Sequence, residues 1–63
     1  MTLSDDDRKK IIDELDRAEN AAREAILATF AAFVEWLFGT LREIYHRVKD
    51  GLERIWRIIR SIF

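Results

Sequence analysis

The sequence has no cysteine, no proline and no glutamine, a single histidine, and only two glycines in 63 residues. Without cysteine it can form neither a disulfide nor a thiolate metal site. One histidine cannot assemble an imidazole metal cluster within a protomer, so neither metal nor cofactor is expected. The absence of proline removes the strongest helix breaker, and Gly39 and Gly51 stand alone, which excludes a glycine-rich phosphate loop. Neither sign of charge dominates. Eleven bases against twelve acids give a net charge of −1, which argues against a nucleic-acid binder, because that class needs a basic face to displace phosphate counterions. The main apolar block, residues 25–38, is shorter than the ~18 to 20 residues that span a bilayer, and Glu35 interrupts it. So short a chain forms one domain, 1–63, and buries only about 60% of its unfolded surface. A single core of this size rarely supplies more than roughly 3–5 kcal/mol, so a staple or a partner is expected.

What is present is helical pattern. Residues 1–24 carry eight acids and five bases, and residues 25–63 carry four acids and six bases, a gradient that matches helix dipoles. Because the first apolar block follows an acidic segment and not a short basic one, no signal peptide is expected, and the default compartment is cytoplasmic. Ser4 before Asp5, Asp6 and Asp7 reads as an N-cap with an acidic first turn. From there Ile11, Leu15, Ala18, Ala22, Ile26, Thr29, Phe33 and Leu37 recur at steps of three and four, which predicts a helix over 5–38, about 51 Å long at ~1.5 Å per residue. Asp13 with Arg17 and Glu19 with Arg23 add acid-to-arginine pairs at four residues. Gly39 can take the left-handed conformation that ends a helix, and Thr40 with Glu43 reads as a capping box for a second helix.

The second run, Leu41, Ile44, Val48, Leu52, Ile55, Ile59 and Ile62, keeps one phase and predicts a helix over 41–62. Asp50 and Gly51 offer an alternative break, with Asp50 capping a short third helix. The two runs are also nearly in phase with each other, so periodicity alone allows one continuous helix from 5 to 62. The fold class expected is all-α, a long helical hairpin assembling as a multi-helix bundle. In a hairpin turning at Gly39 and Thr40, the first turns of helix one overhang the shorter second helix, leaving Ile11, Ile12 and Leu15 nothing to pack on. An antiparallel homodimer, a four-helix bundle, would cover them. Residues 25–38 are apolar around nearly the whole helix, which predicts burial on all sides. Ala21, Ala25, Ala28 and Ala32 make a small-residue seam that admits a close neighbour, on a face distinct from that of Ile26, Phe30, Phe33 and Leu37.

Candidate chemistry is sparse. Glu43 and His46 have the Glu-x-x-His spacing of di-iron bundle half-sites, but both point about 150° or more from the apolar stripe, which makes them a surface pair. His46 has no nucleophile at a suitable spacing, since Ser4, Ser61 and the threonines read as caps or surface positions, so no enzyme activity or small-molecule substrate is expected. Trp36, Phe38, Tyr45, Trp56 and Phe63 flank the apolar stripes, as core boundary in an assembly or as anchors for a foreign protein. Residues 52–63 form a basic amphipathic segment with a tryptophan, a pattern shared by membrane-surface helices, by calmodulin-target segments and by ordinary bundle helices with a dipole-matched end.

The missing glutamine, cysteine and proline, the acidic helix start and the acid-to-arginine pairs together resemble the style of de novo designed helical bundle proteins, over the whole chain and without any identifying motif. Gly51 inside a helix and the 25–38 block depart from that style and would suit a designed oligomer or binder. The expected function is self-association as a structural or assembly protein without catalysis, with Ile11, Leu15, Ala21, Ala25, Ala28, Ala32, Phe30, Trp36, Phe38, Tyr45 and Trp56 as interface. The alternatives are a small module docking Trp36, Phe38, Tyr45 and Trp56 on a protein partner, and membrane association through 25–38 and the basic end.

Overall fold

The computed structural model describes residues 3–63. The chain is all-α: α1 (Asp5–Arg17), α2 (Asn20–Ala28), α3 (Phe30–Thr40), α4 (Arg42–Val48), a 3-10 turn (Lys49–Gly51) and α5 (Leu52–Ile62). Its principal extents are 30 × 22 × 21 Å, too short to hold a 34-residue helix of about 51 Å. The helix expected over 5–38 is therefore three helices, folded back on one another.

α1 starts as the sequence indicates, with Ser4 extended and its Oγ accepting from the Asp7 amide at 3.1 Å. It ends where Ala18 and Glu19 turn extended (ψ 153 and 154°). The second break is Thr29, at φ −133° and ψ 155°, whose Oγ1 accepts from the Ala32 amide at 3.1 Å and caps α3. Each break gives up intrahelical hydrogen bonds. In return the chain brings Ile11 and Leu15 to 0% exposure, each contributing roughly 1.5–3 kcal/mol. This corrects the overhang: both residues lie in the core of a single chain, together with Leu27, Phe33, Leu37, Ile44, Val48, Leu52, Ile55 and Ile59.

The turn between the two apolar runs also moves. Gly39 and Thr40 are the last residues of α3, and the chain bends at Leu41 (φ −131°, ψ 61°), whose amide donates to the Leu37 carbonyl at 2.8 Å. Among the described residues no glycine has a positive φ. Thr40, being helical, does not cap α4, which has no side-chain cap. The helix expected over 41–62 is α4 and α5 joined by the 3-10 turn; Gly51 precedes α5 with no side-chain cap, so Asp50 does not serve as one. The stripe nonetheless keeps its phase, and Ile44, Val48, Leu52, Ile55 and Ile59 are all buried. Arg17 pairs with Glu14 at 3.1 Å and Arg23 with Asp16 at 3.8 Å, in place of the expected Asp13 and Glu19 partners.

Candidate functional site

The two breaks in the first run create the surface of interest, because each leaves carbonyls without an amide of their own helix. At the first break the Leu15 carbonyl accepts from the Ala18 amide at 3.2 Å and from Arg23 Nη1 at 3.2 Å. At the second, Trp56 Nε1 of α5 donates to the Leu27 carbonyl at 3.1 Å. Arg23 also donates to Asn20 Oδ1 and lies over the Phe63 ring, 5.1 Å from its centroid. The ends of α2 and α5 are thereby fastened side by side, and a cleft of about 360 Å³ opens between them. Leu27, Ala28 and Phe63 give it an apolar lining, and Arg23, Arg60, Asn20 and Glu24 a polar one.

Beside this cleft stands an aromatic knob. Phe30, 37% exposed, packs tilted on Trp56 with ring centroids 5.7 Å apart. The Arg60 guanidinium covers the Trp56 ring at 4.8 Å and also lines the cleft, so knob and hole form one continuous patch. Ala21, Ala25 and Ala28 are exposed on α2 next to it, and Ala32 is half-buried on α3. The block over 25–38 is thus not buried on all sides, since Phe33 and Leu37 are inside while Ala25, Ala28, Phe30, Ala31 and Phe38 are exposed.

The four aromatics expected on one docking face separate. Trp36 packs on buried Phe33 (6.0 Å), and Trp56 belongs to the knob with Phe30. Phe38 meets Tyr45 edge-on at 5.0 Å, with the His46 ring 6.2 Å and the Arg42 guanidinium 4.9 Å from the Phe38 ring. Phe30 and Phe38 open and nearly close α3, about 12 Å apart along its axis. Glu43 and His46 are both exposed, and among the described residues no three metal-ligating side chains come together.

Beside the bonds from Arg23 and Trp56, sequence reasoning missed a polar contact between α1 and α4. Asp7, only 7% exposed amid the acidic first turn, accepts from Arg47 of α4 at both oxygens, Nη2 to Oδ1 at 2.8 Å and Nε to Oδ2 at 3.2 Å. The hydrogen bond from Arg47 holds the Asp7 carboxyl below its ordinary 3.8 against the opposing effect of burial, with help from the Arg47 charge, Ser4 and Lys10. The same pair raises Arg47. No periodicity rule relates positions 40 apart; only the helical phase that turns Asp7 inward, four residues before Ile11, carries a signal.

Fold and site together define a small all-α protein whose distinctive surface is an aromatic knob beside a cleft of mixed apolar and polar lining. No family model matches the chain, and neither a curated protein nor a solved structure matches it.

Proposed function

We propose that the protein is a self-associating helical module without catalytic activity, and that two copies join through Phe30 and the α2–α5 cleft. The observation that supports this is the adjacency of an exposed aromatic ring to an open cleft, partly apolar through Leu27, Ala28 and Phe63, on the same face. A two-fold contact demands a self-complementary surface, and a knob next to its own hole meets that demand, because each Phe30 can enter the cleft of the partner copy. There the arginines at its rim offer the ring cationic faces, and the small side chains Ala21, Ala25 and Ala28 let the two α2 helices approach closely. The dimer differs from an antiparallel pair of long hairpins: each copy has its own core, and association adds to it. A contact of ~800 Å² per partner, the size of a stable interface, would cover about a fifth of the 4436 Å² surface.

Sedimentation velocity over a hundredfold concentration range tests this. The expected result is a mass rising towards twice 7.5 kDa, and a Phe30→Ser variant of unchanged helical circular dichroism that remains monomeric. A wild-type monomer at every concentration overturns the proposal.

A further inference from the structure

A second surface, on the opposite flank of α5, is independent of the knob and cleft. With Leu52, Ile55 and Ile59 facing the core, the ~100° step of the helix puts Trp56 and Phe63 on one flank and Ile58 and Ile62 on the other. Ile58 is 39% and Ile62 50% exposed. By the same construction Arg54, Ser61 and Arg57 follow directly outward from the two isoleucines, so this sector of the helix contains no acid. Glu53, the one acid of α5, pairs with Arg57 at 3.6 Å.

We propose that this Ile58–Ile62 flank, with Arg54 and Arg57, docks on the surface of an anionic lipid bilayer. Aliphatic side chains bordered by arginines are the composition of helices that lie in the interfacial plane of such membranes. The surface is a bare helix flank, and neither of the clefts at α2–α5 and at α4 is lined by Ile58 or Ile62, which fits a deformable lipid interface better than a folded partner needing shape complementarity. A second copy is a poor occupant, because α1, which carries half of the acids, also exposes Arg8, Lys9, Lys10 and Arg17. No helix among the described residues is long and apolar enough to cross a membrane, so α5 would lie on the bilayer and not through it.

The test is co-sedimentation with vesicles of phosphatidylcholine alone and of phosphatidylcholine mixed with phosphatidylglycerol, at low and high salt, with poly-glutamate as a non-lipid polyanion. The expected result is binding to the mixed vesicles that salt weakens, with little binding to the neutral ones. Arg54→Ser should reduce the partition coefficient about fivefold, and Ile58→Ser with Ile62→Ser should abolish binding while leaving self-association intact. Equal binding to neutral vesicles, no binding at low salt, or binding insensitive to these exposed substitutions overturns the proposal. Capture by poly-glutamate without vesicle binding overturns it in favour of an acidic polypeptide.

Discussion

Two side chains far apart in sequence from their partners do disproportionate work. Trp56 joins α5 to the end of α2 through one hydrogen bond to a carbonyl that the break at Thr29 leaves without a helical amide. Trp56→Phe keeps an aromatic ring against Phe30 but removes the donor, and an unpaired, partly buried carbonyl costs about 1–3 kcal/mol. A urea midpoint lowered accordingly is expected; an unchanged one would mean that water satisfies the carbonyl equally well. Asp7 ties the start of α1 to α4. Its carboxyl is held below 3.8 in the folded chain, whereas in the unfolded chain it titrates near that ordinary value. As pH falls, the unfolded chain therefore takes up the proton first, and the stabilisation present above the ordinary value is lost on descent through the folded one. Asp7→Asn should thus be less stable than the wild type at neutral pH, with the difference shrinking below about pH 4. Chemical denaturation across that range measures it, and a difference independent of pH would show that the pair does not contribute through charge.

At the scale of elements, the helical class and the buried stripe Ile44, Val48, Leu52, Ile55 and Ile59 were legible because a 3.6-residue period survives the 3-10 turn at Lys49–Gly51. The start of α1 was legible because Ser4 and the acids after it satisfy amides locally. The breaks at Ala18–Glu19 and Thr29 were not, because they use no proline or glycine. They exist to fold apolar residues back into one core, and distant groups, Arg23 and Trp56, satisfy the ends they expose. The candidate surface was half legible for the same reason: Phe30, Ala28 and Trp56 were visible as apolar, but the α2–α5 cleft beside the Phe30–Trp56 pair forms only once the helix breaks. Conversely, Gly39 suggested a turn that the structure places at Leu41. Gly39 is helical, and a Cβ added there would meet nothing within 4 Å. Gly39→Ala should therefore raise stability by about 0.5–1 kcal/mol, through the lower entropy of the unfolded chain. A thermal midpoint above that of the wild type is the expected reading, and a lower one would place a left-handed residue at 39.

At the scale of the molecule, the question is where the stability resides: within one chain or between chains. In a hairpin dimer with overhanging ends, Leu15 would be buried only by the partner, and a substitution there would act chiefly on association. In this fold Leu15 is fully buried among residues of its own chain. Leu15→Ala should then cost about 2–5 kcal/mol, the usual penalty of an unfilled cavity, against a core that supplies roughly 3–5 kcal/mol in so small a domain. The variant is expected to lose most of its helical circular dichroism at room temperature, and to do so equally when the protein is diluted below the concentration at which it associates. Phe30→Ser should behave in the opposite way, with helicity retained and only mass affected, because Phe30 lies outside the core. If raising the concentration restored the fold of Leu15→Ala, the burial of that residue would depend on a second copy, and the core would have to be redrawn across the dimer.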